Sequence, residues 1–197
     1  MNIKKESTDG GLRSLVGTRA FYKKVLLVAV PIMIQNGITN FVSLLDNIMV
    51  GQVGTEQMSG VAIANQLVFI FNLCIFGAVA GAGILGAQFY GSGNSEGVRD
   101  TFRFKLLFGV ILSAIFAVIF LTVGEPLIQQ FIHQGEGIGD LEATRSYGKA
   151  YLEVIVIGIL PFALTQCYSG TLRETGETVI PMIAGIIAVL VNLVFNY

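Results

Sequence analysis

VLLVAVPIMIQNGITNFVSLLDNIMV, residues 25–50, carries a single formal charge, Asp46, in a run of apolar and small polar side chains. A helix needs about 20 residues at 1.5 Å each to cross a hydrocarbon core about 30 Å thick, and this run exceeds that length. Its apolar residues continue through many turns instead of alternating over about ten residues, which argues against a barrel strand. Four more runs of the same kind follow, at about 61–89, 104–123, 151–171 and 178–197. Gly-rich or charged breaks separate them: GQVGTEQ at 51–57, GSGNSEGVRD at 91–100, GEGIGD at 135–140 and RETGE at 173–177.

Composition agrees with this reading. Of 197 residues 53% are hydrophobic and 13% charged, with mean hydropathy +0.72. A soluble domain carries roughly 25% charged residues, so this chain has about half the usual solubilising surface. The net charge of −1 leaves no basic field for nucleic acid. The chain is therefore read as an all-α membrane protein, a polytopic bundle of five transmembrane helices over residues 21–197, preceded by a polar tail, 1–20. The first apolar run contains Pro31 and Asp46 and lacks a small-x-small site, so it is not a cleaved signal. Cys74 and Cys167 lie inside apolar runs without a spacing motif and read as small buried hydrophobes.

Lysine and arginine placement sets the expected sidedness. Lys4, Lys5, Arg13, Arg19, Lys23 and Lys24 precede the first span; Arg99, Arg103 and Lys105 follow the second, Arg145 and Lys149 the third, Arg173 the fourth. A cytoplasmic N-terminus puts ten basic residues inside and two outside, with the acidic loop carrying Glu125, Glu136, Asp140 and Glu142 facing out. The final residues, LVNLVFNY, are still within the fifth apolar run, so the chain is expected to be the N-terminal piece of a longer protein. The plasma (inner) membrane is the expected location.

The first span also carries the most informative polar residues. Asn36, Thr39, Asn40, Ser43, Asp46 and Asn47 recur at three- and four-residue steps and so share one helix face. Polar groups facing acyl chains are costly, so this face should look onto helices or water. Asp46 lies about 13 Å outward from the middle of its span. Glu153, near the outer start of the fourth span, and Asn196, high in the fifth, are expected at a similar depth, with Asn192 one turn below Asn196. Burial disfavours a charged carboxylate, which then takes a proton or binds a cation with neighbouring oxygens. Asp46 is thus the candidate switch, and Asn36, Thr39, Asn40, Ser43 and Glu153 are candidate cavity-lining residues.

Glycine makes up 24 of 197 residues, against about 7% in average proteins. Gly77, Gly81 and Gly86, with Ala78 and Ala82, predict a close-packed seam along the second span. Pro31 falls in the first turns of its span, Pro161 mid-span in the fourth, Pro181 again near a helix start. His133 reads as a solvated or interfacial residue. There is no HExxH, paired-cysteine or Walker pattern, so no metal site, cofactor or enzyme chemistry is expected, and any pumping must draw on an ion gradient.

These residues also resemble a known family. PIMIQN at 31–36 through LLDNIMVGQVG at 44–54 looks like the opening helix of the multidrug and toxic compound extrusion (MATE) transporters. GAQFYGSGN at 86–94, YLEVIVIGILPF at 151–162, LRETGETVIP at 172–181 and NLVFNY at 192–197 are similar to further stretches of that family, in the same order. The resemblance implies twelve helices in two six-helix lobes around a central cleft, of which this chain would be five helices of the N-lobe. It implies exchange of Na+ or H+ for organic, often cationic, drugs, with the C-terminal lobe as the missing partner. The family's cation site in this lobe would map to Asp46, Asn192 and Asn196. Some members carry an aspartate where this chain has Asn196, so coupling would fall more heavily on Asp46. The alternatives are a lipid-linked oligosaccharide flippase of the same superfamily and a non-transporting structural subunit of a membrane complex.

Overall fold

The computed structural model describes residues 17–134 and 140–196 and is helical almost throughout. Five helices follow one another: α1 (Arg19–Val53), α2 (Thr55–Gly91), α3 (Ser95–Gln134), α4 (Leu141–Glu174) and α5 (Val179–Asn196). Among the described residues there is no strand. The first four run for 34 to 40 residues, about 50–60 Å, and so outreach a hydrocarbon core of about 30 Å. All four are long and apolar enough to cross a membrane; α5, at 18 residues, is also apolar but shorter.

Each helix extends past its apolar run because polar residues at the ends still hydrogen-bond as helix. The expected break at 91–100 is shorter than its composition suggests: Asn94 Oδ1 accepts from the Gly97 amide at 2.9 Å, and residues 95–100 already form the first turns of α3. Similarly, Thr18 starts α1 by accepting from the Phe21 amide, which leaves Pro31 in the helix interior rather than in its first turns. Asp140 caps α4 by accepting from the Glu142 and Ala143 amides. Most of the break at 135–140, with the His133 side chain, lies outside the described residues. The link from α1 to α2 is Gly54 alone, at φ 155°, a left-handed setting that favours glycine.

Helices α2, α3 and α4 pack closely on one another and form the core. The stripe that α2 buries is Gly60, Ala64, Leu67, Phe71, Ile75, Gly83 and Gly86, and α4 answers with Thr144, Gly148, Leu152, Ile159, Ala163 and Cys167. Phe71 sits edge-on to Phe116 of α3, with ring centroids 5.3 Å apart. Backbones touch where Gly60 meets Gly148: a Cβ on Gly60 would stand 2.6 Å from the Thr144 carbonyl oxygen and 2.8 Å from the Gly148 nitrogen. The glycine seam is thus real but displaced. Gly86 is in it and Gly77 and Gly81 are not, since a Cβ on either of those would meet nothing within 4 Å.

Helices α1 and α5 stand apart from this core. They pack mainly against each other, with Gly37, Ile38, Val42 and Leu45 facing Val189 and Leu193, and touch α2 and α4 along narrower seams. No described residue of α1 is buried. An exposed apolar surface on this scale suits lipid or neighbouring protein, not water.

Candidate functional site

A cleft of about 750 Å³ opens between α1 and α2. Ser43, Asp46 and Asn47 of α1 enter it from one side, and Asn65 and Asn72 of α2 from the other. Tyr151 of α4 and Asn192 of α5 complete its polar wall, with Val50, Val53, Val61, Val68 and Phe69 between. The Tyr151 hydroxyl donates to Asn65 Oδ1 at 3.1 Å, which fixes the amide's oxygen toward α4. Four helices therefore contribute oxygens or amides to one hollow. Asp46 is half-buried beside it and is the only acidic side chain among the lining residues.

The helix geometry explains which expected residues reach this hollow. Ser43, Asp46 and Asn47 are spaced three and four apart and share a face. Asn36, Thr39 and Asn40 lie on the same stripe, two to three turns before Asp46; they are exposed and do not line the cleft. The Thr39 hydroxyl donates back to the Gln35 carbonyl at 2.9 Å, and Ser43 to that of Thr39 at 3.1 Å. Such back-bonds satisfy a hydroxyl inside an apolar helix without a partner from elsewhere.

Glu153 does not join Asp46. It follows Tyr151 by two residues, about 200° around α4, so when the tyrosine faces the cleft the glutamate must face away. It lines a separate hollow of about 270 Å³ between α3 and α4, with Glu125, Gln129 and Lys149. There Lys149 donates to Glu125 Oε2 at 2.8 Å, and Arg145 pairs with the same carboxylate. Asn196 is the last residue of α5, and its side chain lies outside the described residues.

Asn65, Asn72 and Tyr151 are the cleft residues that sequence reading misses. Asn65 and Asn72 lie seven apart, two turns on one face of α2, inside a helix otherwise dominated by apolar side chains. That spacing is the signal the sequence offers for them.

A second polar cluster closes the opposite end of the core. Lys105 of α3 has a fully buried side chain, and its ammonium donates to Glu174 Oε1 at 2.6 Å and to Thr171 Oγ1 at 3.2 Å. Gly83 and Gly86 of α2 make the room for Glu174, since a Cβ on either would stand within 2.5 Å of a carboxylate oxygen. The neighbouring Arg173 reaches the other way and donates through Nη2 to Gln35 Oε1 of α1 at 2.6 Å.

The profile of the MatE family matches residues 31–197. The chain belongs to the MatE family. Among curated relatives it is similar to "Probable multidrug resistance protein NorM" of Thermotoga maritima, 28% identical over 176 residues, which cover 89% of this chain and 36% of that one. It is also 26% identical to "Multidrug resistance protein PmpM" of Pseudomonas aeruginosa over 182 residues, 91% of this chain and 36% of the relative. The fold is that of a MOP superfamily transporter from Pyrococcus furiosus, with a TM-score of 0.70 at 20% identity over 88% of this chain and 37% of that one. The chain thus spans about 36% of the length of the curated relatives it matches. As a MatE chain it is a multi-pass helical membrane protein, and its family is one of transporters and not of enzymes.

Proposed function

We propose that this lobe belongs to an ion-coupled exporter of organic, often cationic, compounds, with the coupling proton or Na+ taken up at Asp46 in the α1–α2 cleft. The observation that carries the reading is that Asp46 and Asn192, from helices far apart in sequence, line the same hollow with Asn65, Asn72 and Tyr151. A carboxylate set among neutral oxygen donors inside a membrane bundle is suited to holding a small cation or a proton. Asn192 supplies such an oxygen from α5, and Asn196 stands one turn further along the same helix.

Occupancy at Asp46 then bears on the shape of the cleft, because its walls come from two differently packed groups of helices. An ion that binds one shape better than the other shifts the balance by its differential affinity, about 1–3 kcal/mol for ordinary coupling. Substrate affinity falls as the cleft changes shape, and release follows. The second lobe, the other wall of the substrate path, is supplied by the remainder of the transporter, which sits in the plasma (inner) membrane with its N-terminus cytoplasmic.

Asp46→Asn is the decisive variant. In proteoliposomes holding the whole transporter, it is expected to abolish uptake of a fluorescent organic cation driven by a proton or Na+ gradient, while the protein still inserts. Undiminished gradient-driven transport by this variant would overturn the assignment. Imposing each gradient alone on the unmodified protein then tells proton coupling from sodium coupling.

A further inference from the structure

We infer that Arg173 and Gln35 form a clasp that sets the position of α1 against the α2–α4 core, and that this clasp fixes the width of the cleft. The inference stands on geometry and does not rest on the export reading.

The two partners belong to differently held bodies. Arg173 is in the last turn of α4, at a point where α4 is pinned twice to the core. Its neighbour Glu174 pairs with the buried Lys105 of α3, and a Cβ on Gly170 would stand 2.6 Å from Val79 Cγ1 of α2. Gln35 is on α1, which buries no described residue and meets α2 along a narrow seam. The bond from Arg173 Nη2 to Gln35 Oε1, 2.6 Å long, therefore joins a fixed point to a loosely held helix. A charged donor makes this bond stronger than a neutral one.

The third helix meets the clasp as well. A Cβ on Gly185 of α5 would stand 3.0 Å from Gln35 Nε2 and 3.2 Å from its Cγ, so Gln35 fills the contact between α1 and α5. One glutamine thus couples α4 to the α1–α5 pair. Along α1, Gln35 lies about 16 Å before Asp46, and the far end of the helix runs into α2 through Gly54. The cleft lies between these two places, with α1 as one wall and α2 as another. The guanidinium is also only partly satisfied, since Arg173 Nε is buried without a hydrogen-bond partner. A grip that leaves a buried donor unmatched is cheaper to exchange for another arrangement than a fully bonded one. Arg173 and Gln35 are in this account positioning residues, acting on Asp46 and Asn192 through the placement of α1 and α5.

The test is a pair of distances in the intact membrane-embedded protein, in lipid nanodiscs, with Cys74→Ala as background. Spin labels go on Leu44→Cys and Ile157→Cys, exposed sites on α1 and α4, and a reference pair on Phe76→Cys and Leu121→Cys, exposed sites on α2 and α3, the packed helices. Gln35→Leu and Arg173→Ala are each expected to broaden the α1–α4 distribution and move its mean by about 2 Å or more, the upper end for helix shifts between packed states. The reference distance is expected to stay. Gln35→Glu, which still accepts from the guanidinium, is expected to keep the original α1–α4 distance. An unchanged α1–α4 distribution in Gln35→Leu overturns the inference, as does a Gln35→Glu variant that shifts as far as Gln35→Leu. If Arg173→Ala loses the reference distance by failing to fold, the two Gln35 variants decide alone. No transport is measured, so failure of the export reading leaves this test intact.

Discussion

At the scale of single residues, charge inside the bundle is met in two different ways. Lys105 and Glu174 satisfy each other: the ammonium is wholly buried and donates to the carboxylate and to Thr171. Removing one member strands the other in an apolar setting, which costs about 3–5 kcal/mol, whereas replacing both with apolar side chains of similar volume is often neutral. Lys105→Met is therefore expected to lower the thermal or denaturant midpoint of the detergent-solubilised protein strongly. Adding Glu174→Leu is expected to recover most of the loss, and additive losses in this double-mutant cycle would show the pair to be two independent residues. Asp46 instead faces a cleft walled by amides, two hydroxyls and valines. If that cleft holds water, Ser43→Cys in a Cys74→Ala background reacts with a membrane-impermeant thiol reagent, while Ile157→Cys on the exposed apolar face of α4 does not. Equal inertness at the two positions would mark the cleft as dry and remove the basis for ion uptake there.

At the scale of helices, glycine decides where backbones meet. Gly60 and Gly148 bring α2 and α4 so close that a methyl group on Gly60 would collide with the partner's backbone and one on Gly148 would press on it at 3.0 Å. Because backbone cannot yield as a flexible side chain can, Gly60→Ala and Gly148→Ala are each expected to destabilise the bundle by about 1–3 kcal/mol, read from unfolding in mixed micelles. Gly77→Ala, which meets open space, serves as the control and should sit within error of the parent. The contrast shows how far the sequence could be read. Five helices were legible from the apolar runs alone, because only backbone satisfied within its own segment survives in lipid. The polar face of α1 was legible from its three- and four-residue period, and so was the common orientation of Ser43, Asp46 and Asn47. Which glycines of α2 form the seam was not, for Gly77, Gly81, Gly83 and Gly86 are chemically identical and only the position of α4 tells them apart. Glu153 lines a different hollow from Asp46 for a related reason. Its depth follows from its number, but its direction is set by Tyr151, which the packing turns toward Asn65.

At the scale of the whole molecule, the five helices divide into a packed trio and a loosely attached pair. Helices α2, α3 and α4 bury the aliphatic and aromatic stripe that includes Phe71, Ile75, Ile128, Leu152 and Ile159. By contrast α1 buries nothing, and α5 buries Pro181 alone among its described residues. Local opening draws on contacts that hold an element to the rest, so the pair should open before the trio. Asp46 and Asn192 ride on the pair; Asn65, Asn72 and Tyr151 belong to the trio. A cleft with one wall on each body can change shape without unpacking the core, which is what a site that alternates between two states requires. Hydrogen exchange of the detergent-solubilised protein tests the division directly. Peptides covering 19–53 and 179–196 are expected to exchange at least about tenfold faster than those from the middle of α2 and α4, a difference of about 1.4 kcal/mol in opening free energy. Gln35→Leu should widen that gap by releasing α1, while Lys105→Met should narrow it by loosening the trio. Uniform protection across all five helices would mean that the bundle opens as one unit, and the cleft would then have no moving wall.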